Sequence, residues 1–140
     1  MKNKNKGFTL IEVLMVVVII GVLAALIVPR FAAAPERAFA AEANQMLGSL
    51  KRAQMARVDL VGSGTSWLTI SNNTDTTNWG KLNLAAPSST AKFDYSCSNS
   101  TNSCTARSQR NAGDTMTVNA TGWACAGNYT AMTNGGCTVG

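Results

Sequence analysis

One carboxylate in the apolar N-terminal segment is the residue of this sequence best placed to do chemistry. Between Phe8 and Val28, 21 consecutive residues contain a single charge, Glu12. An ionised carboxylate inside lipid costs about 2.5 to 3.5 kcal/mol on insertion scales, and such residues usually have a function and a defined partner. The pattern therefore predicts that Glu12 is paired with a cation.

The N-terminal amine of a processed chain would supply that cation. Cleavage after Gly7 would give Phe8 a free α-amino group at the start of the helix, where the helix dipole is also positive. We expect the amine of one copy to neutralise Glu12 of a neighbouring copy in a helical array. Because misalignment leaves both charges unpaired, the pair would also set the register between copies.

The composition gives little support for an enzyme. The 140 residues contain no histidine, which removes the commonest general base available near neutral pH. None of the four cysteines has a partner in the sequence pattern that would make it an activated nucleophile. We therefore expect no catalytic activity, no cofactor and no bound metal.

The cysteines all lie in the polar C-terminal half, where disulfide bonds are the favoured interpretation. A zinc site is less favoured because the sequence has no Cys-x-x-Cys pair and no histidine. Nearest-neighbour pairing would close loops of about 8 and 13 residues, each worth about 2.5 to 3 kcal/mol. Four cysteines permit three pairings, however, and spacing alone does not select one. The residues concerned are Cys97, Cys104, Cys125 and Cys137.

The segment around Glu12 has the features of a membrane anchor. Residues 1–7 include three lysines, a pattern that holds the N-terminus in the cytoplasm while the following segment crosses the bilayer. As a helix, the apolar run would be about 31 Å long, close to the ~30 Å of the hydrocarbon layer. The alternative is a secretory signal cleaved after Ala34, although the run is longer than such signals normally have.

The residues around Glu12 also resemble a known signal. Gly7-Phe8-Thr9-Leu10-Ile11-Glu12-Val13-Leu14, after a basic leader and before a run ending at Pro29, is similar to the class III signal and first helix of bacterial type IV pilins. It is equally similar to the pseudopilins of type II secretion. The resemblance implies that prepilin peptidase cleaves between Gly7 and Phe8 and that Phe8 is N-methylated. It also implies polymerisation through the N-terminal helix, with Phe8 and Glu12 as the assembly residues.

Two residues are expected to weaken the spanning helix, which we assign to residues 8–29. Pro29 lacks a backbone N–H and disfavours helix at the residue before it, so we expect a bend or local unwinding between Val28 and Pro35. Gly21 is the second helix-breaking residue. By analogy with the family, the stretch from Gly21 to Pro29 can lose helicity on assembly.

The rest of the chain predicts an α+β fold. Residues 30–61 have the three- and four-residue apolar spacing of an amphipathic helix. Residues 65–140 show the alternation of short strands, with one strand expected at 67–70 and another containing Phe93, Tyr95 and Cys97. A small antiparallel sheet packed on the second half of a long N-terminal helix would bury both apolar faces and form a disulfide-closed head.

The implied function is a structural subunit of a type IV pilus. Residues 123–140 contain no acidic residue and instead carry a cysteine pair, whereas major pseudopilins commonly have an acidic calcium-binding loop near the C-terminus. A pseudopilin of a type II secretion or DNA-uptake system is the alternative, and a processed secreted protein is a third interpretation. The expected partners are other copies of the chain, prepilin peptidase, the inner-membrane assembly platform and, before assembly, membrane lipid.

The net charge of the mature chain and its cellular location follow from the interpretation as a pilus subunit. Loss of the leader would lower the formal net charge from +5 to +2, so we expect no strong binding to nucleic acid. The precursor should cross the inner membrane once with its N-terminus in the cytoplasm. After assembly, the mature chain should lie in an extracellular filament.

Overall fold

The chain folds into two compact units, residues 1–35 and residues 36–140. The computed structural model describes residues 7–31, 34–62, 64–132 and 135–140. Helix α1 spans Leu10–Phe31 in the first unit, and helix α2 spans Ala34–Val61, nearly all of it in the second. The predicted α+β class is confirmed, with the helical part divided into two described helices.

Helix α1 is apolar on every side from Val13 to Ile27, and no other element among the described residues of the first unit covers it. The 18 residues Leu10–Ile27 are strongly apolar, and none of them is buried. The helix continues through Gly21 and Pro29 to Phe31, so neither residue ends it. The fixed φ of proline is compatible with a helix, and its ring removes only one backbone hydrogen bond. The expected unwinding that begins at Val28 is therefore not seen up to Phe31, and melting on assembly stays a prediction.

Helix α2 is amphipathic, as the apolar spacing predicted, but it begins at Ala34 rather than at residue 30. Its buried face includes Ala40, Ala43, Leu47 and Leu50, each no more than 2% exposed. These residues recur every three or four positions, so they lie on one side of the helix. They pack into the same core cluster as the strands of the head.

The strands form two antiparallel sheets. The first sheet has the order β1-β2-β3-β4, and the second pairs β5 with β6. Alternation along β1 buries Phe93, Tyr95 and Cys97, which confirms that these three residues share the core face. The strand bounds are Phe93–Ser98, Ser103–Ser108, Thr115–Asn119, Trp123–Ala126, Tyr129–Ala131 and Cys137–Val139 for β1 to β6.

The strand predicted at 67–70 is absent from the described residues, where only Ile70 forms a bridge, to Cys97. The reason is a side chain on α2. The fully buried Gln54 accepts from the Leu68 N–H at 2.8 Å and donates to the Leu68 carbonyl at 2.7 Å. An amide side chain therefore takes the place of a partner strand and satisfies the buried backbone of this segment.

Two other amide side chains bind the backbone in the same two-sided way. Asn44 on α2 accepts from the Cys137 N–H at 2.8 Å and donates to the Cys137 carbonyl. Asn73 accepts from the Tyr95 N–H at 2.9 Å and donates to the Phe93 carbonyl at 2.8 Å. Asn44 thus joins α2 to β6, and Asn73 occupies backbone groups of β1 that would otherwise be free to pair with another strand.

The disulfides use the nearest-neighbour pairing. Cys97 is bonded to Cys104, which lies directly opposite it in the β1–β2 pair. Cys125 of β4 is bonded to Cys137 of β6, so this bond links the two sheets. Because Asn44 binds the backbone of Cys137, the second disulfide is also tied to α2.

A short helix, α3, was not expected from the sequence. It spans Thr76–Lys81 and buries Trp79 completely. Asp75 caps its N-terminus, where the Asn78 side chain and the Ser71 N–H donate to the carboxylate and lower the pKa of Asp75. Six residues are too few for the apolar periodicity that reveals a longer helix.

Candidate assembly site at the start of α1

The first turn of α1 is closed by a reciprocal pair of side chains. The Glu12 N–H donates to the Thr9 hydroxyl oxygen at 3.4 Å, and the Thr9 N–H donates to the Glu12 carboxylate at 3.5 Å. The Thr9 hydroxyl also donates to the same carboxylate oxygen at 3.4 Å. This is the side-chain pattern of a capping box, and the Glu12 N–H also donates to the Thr9 carbonyl at 3.1 Å, its closer acceptor.

The capping box gives Glu12 partners inside its own chain. All three hydrogen bonds are longer than the normal range, so each one is weak. The carboxylate also lies near the positive end of the α1 dipole, which favours its charge. Glu12 is therefore partly compensated in a single copy, and a stronger cationic partner could displace Thr9.

Apolar side chains surround this carboxylate. Phe8, Glu12, Val13, Val16 and Val17 line one shallow depression on the first unit. Phe8 is 84% exposed, and the large apolar side chains from Leu10 to Ile27 are all at least 49% exposed. Such a surface is not stable in water and requires lipid or other apolar helices around it. The segment from Leu10 is also long enough to cross a membrane.

The bond predicted to be cleaved lies just before the helix. Gly7, Phe8 and Thr9 precede α1 and have no regular secondary structure, and Gly7 is exposed. A Cβ built on Gly7 would meet no atom within 4 Å. The structure thus places the proposed cleavage residues on open, non-helical backbone, which a peptidase can reach without unfolding α1. Residues 1–6 of the predicted leader lie outside the described residues.

Sequence reasoning missed the role of Thr9. The signal was present, because Thr9-Leu10-Ile11-Glu12 matches the Ser/Thr-x-x-Glu pattern of a capping box. The predicted pairing between the Phe8 amine and Glu12 involves two copies of the chain, and it stays a prediction. Gly21 and Pro29 lie farther along α1 and take no part in this arrangement.

Two acidic residues of the second unit, Asp94 and Asp114, accept hydrogen bonds from nearby groups. Asp94 accepts from the Asn73 N–H at 3.0 Å. Asp114 accepts from the Asn128 N–H, the Asn128 side chain and the Asn111 side chain. Across the described ranges, no group of three or more metal-binding side chains is placed to hold an ion.

Comparisons with known proteins find similarity in the same N-terminal segment. Residues 2–28 match the family model described as the prokaryotic N-terminal methylation motif. The chain is also 51% identical over 37 residues to the type II secretion system core protein G of Pseudomonas aeruginosa. These two matches confirm the resemblance of the N-terminal segment to the type IV pilin-like superfamily.

The similarity is confined to part of each chain. The 37 matched residues cover 26% of this chain and 26% of the secretion protein, so the chain spans about a quarter of the relative that it matches. No solved structure matches the chain. The motif and the apolar helix together fit a chain anchored in an inner membrane.

Proposed function

Since the N-terminal segment carries the methylation motif of the type IV pilin-like superfamily, we propose that this chain is a structural, non-catalytic subunit of a type IV pilus. The observation that carries the proposal is the exposed apolar stretch Leu10–Ile27 of α1, with one partly compensated carboxylate, Glu12, at its start. Prepilin peptidase would cut after Gly7 and methylate Phe8. The inner-membrane assembly platform would then move the mature chain from lipid into an extracellular filament.

Glu12 gives this assembly its direction and register in the proposed mechanism. Moving α1 from lipid to a bundle of identical helices gains little hydrophobic free energy, because lipid tails are as apolar as the neighbouring helices. In a single copy, the partners of the Glu12 carboxylate among the described residues are the N–H and hydroxyl of Thr9, both at long distance. In the filament, it would exchange them for the charged Phe8 amine of a neighbouring copy, and a charge-assisted bond of this kind is about twice as strong as a neutral one.

Three variants separate the charge of Glu12 from its capping role. Glu12→Gln keeps a side chain that can complete the capping box but removes the charge. Thr9→Ala does the reverse, since it removes the cap and keeps the carboxylate. Glu12→Ala removes both. We expect normal membrane insertion and cleavage for all three, and loss of filaments for both Glu12 variants. Thr9→Ala should keep most of the filament yield.

Sheared surface fibres, quantified by immunoblotting and imaged by electron microscopy, provide the measurement. Mass spectrometry of the mature N-terminus should find methylated Phe8, whereas a mature chain beginning after Ala34 would indicate an ordinary secretory signal. Normal filament yield from Glu12→Gln would show that the charge has no role in assembly, and the proposed pairing would then be wrong.

A pseudopilin is the second candidate function, and the match to core protein G supports it. The pilus is favoured because residues 123–140 contain no acidic residue and are closed by the Cys125–Cys137 bond. Deleting the gene separates the two proposals. A pilus subunit predicts loss of the extracellular fibres, whereas a pseudopilin predicts loss of secretion or DNA uptake with no surface fibre in the parent strain.

A further inference from the structure

A polar cavity in the second unit takes no part in the proposed assembly. Its volume is about 320 Å³, at the lower end of the range for small-molecule sites. The residues that line it come from the start of α2, the end of β2 and the loop that follows it, the start of β5 and the residue before it, and the end of β6 with the residue after it. They include Glu36, Ser108, Arg110, Asn128 and Tyr129. We call this site the Tyr129 cavity.

The charges that line the Tyr129 cavity are neutralised within the chain. Arg110 forms an ion pair with Glu36. Asp114 accepts three hydrogen bonds, one from Asn111 and two from Asn128. A free anion would have to displace Glu36 from Arg110, and a free cation would compete with three N–H donors for Asp114. The lining therefore favours a neutral ligand.

Other groups in the lining retain unused hydrogen-bonding capacity. Tyr129 is 5% exposed, yet its hydroxyl has no partner among the described residues. In that part of the chain every fully buried polar side-chain atom has a partner, so the Tyr129 hydroxyl retains some exposure to solvent, and Tyr129 is one of the residues that line the cavity. Burial raises the pKa of Tyr129, which keeps the hydroxyl protonated and able to donate.

Two neighbours complete the set of donors and acceptors. The Ser108 hydroxyl accepts from the N–H groups of Arg110 and Asn111, which leaves its own proton to donate. The Asn128 side-chain amide donates to Asp114, and its carbonyl oxygen remains an acceptor. The cavity thus offers both donors and acceptors around a neutral space, the arrangement that a molecule with several hydroxyl groups can satisfy.

We propose that the Tyr129 cavity binds one neutral hexose unit of a polysaccharide, with the Tyr129 hydroxyl as a specificity-determining contact. Each sugar hydroxyl both donates and accepts, as this lining requires, and a single hexose ring fits within the volume. All residues of the cavity belong to the second unit, so the proposal does not depend on whether the chain forms filaments.

Binding can be measured on the full chain in lauryldimethylamine oxide micelles, a detergent without a sugar headgroup. The probes are the methyl glycosides of glucose, galactose and N-acetylglucosamine, observed by saturation-transfer difference NMR and titrated at millimolar concentrations. We expect saturable binding of at least one probe. Tyr129→Phe removes only the hydroxyl and should weaken that binding about fivefold to tenfold, the effect of losing one net hydrogen bond.

Tyr95→Phe is the matched control, because Tyr95 is equally buried at 3% exposure but does not line the cavity. It should leave the affinity unchanged. Inorganic phosphate and phosphoethanolamine test for charged ligands and should not compete with the sugar. The proposal is overturned if no glycoside binds, if the two tyrosine variants bind alike, or if phosphate or phosphoethanolamine occupies the cavity in place of the sugar.

Discussion

Replacement of Gln54 tests whether a side chain substitutes for a missing strand in the head. Gln54 is fully buried on α2 and binds both the N–H and the carbonyl of Leu68. Gln54→Met keeps the length and the apolar stem of the side chain but removes both hydrogen bonds. Gln45→Met introduces the same residue at an exposed position of the same helix, so it serves as the matched control.

The expected cost follows from the groups that would lose their partner. A buried donor or acceptor left without a hydrogen bond costs about 1 to 3 kcal/mol. Leu68 is half-buried, so water can reach part of its backbone, and we take the lower half of that range for each group. The two groups together give about 2 to 4 kcal/mol. For a folding unit of this size, this corresponds to a fall in Tm of roughly 8 to 16 °C.

Thermal unfolding of the full chain in detergent, with disulfides intact, gives the comparison. Near-ultraviolet circular dichroism follows the core directly, because Trp67 and Trp79 are both buried in it. Gln45→Met should change Tm by no more than about 2 °C, as expected for a surface substitution. If Gln54→Met lowers Tm no more than Gln45→Met does, the amide is not required and the segment at 67–70 is held by other contacts.

Three further predictions concern the disulfides and the titrating groups of the head. Replacing both cysteines of one bond by serine should lower the free energy of unfolding by about 2.5 kcal/mol for Cys97–Cys104 and about 2.9 kcal/mol for Cys125–Cys137, measured by urea denaturation. The pairing would be contradicted if the two double variants lost equal free energies of unfolding and a Cys97–Cys125 bond were trapped in the parent chain. Burial raises the pKa of both Tyr95 and Tyr129, so the folded chain keeps protons that the unfolded chain releases. Stability should therefore fall as the pH rises above about 10, and phenolate absorbance should appear together with unfolding rather than before it. Hydrogen bonds lower the pKa of Asp75, so its contribution is present above the ordinary value of 3.8 and is lost as the pH falls through the lower folded-state value. The Tm difference between the parent chain and Asp75→Ala should shrink in that acidic range, and a difference independent of pH would refute this assignment.

The elements with long periodic patterns could be predicted from the sequence. The length of the apolar run indicates a helix long enough to span a membrane, and the period-two alternation of Phe93, Tyr95 and Cys97 indicates a strand with one buried face. The helix boundary at Ala34 and the continuation of α1 through Pro29 could not be read from residue types, since proline weakens a helix without always ending it.

The misassigned strand at 67–70 and the missed helix α3 have a different cause. Whether Leu68 pairs with a strand or with a side chain depends on Gln54, which is 14 residues away in sequence. A local pattern contains no information about such a contact. The same holds for the Tyr129 cavity, whose lining joins Glu36 to residues more than 70 positions later, and for the choice among the three possible disulfide pairings.

The negative charge of residue 12 supports the proposed assembly independently of the resemblance to pilins. A capping box is completed as well by glutamine as by glutamate. Glutamine would also enter lipid at a lower cost, because an unpaired charge is the most expensive group to place there. Capping and insertion therefore both permit an uncharged residue, and the helix dipole adds a preference of only about 0.3 to 1 kcal/mol for the carboxylate of Glu12, less than the cost of placing its charge in lipid. What a carboxylate adds is attraction to a cation, and the leader that carries the nearby lysines is lost if the chain is cut at Gly7. After that cut, the closest positive charge in the sequence is the new amine of Phe8. An array of identical chains supplies one such amine for every Glu12, which is the stoichiometry that a filament requires.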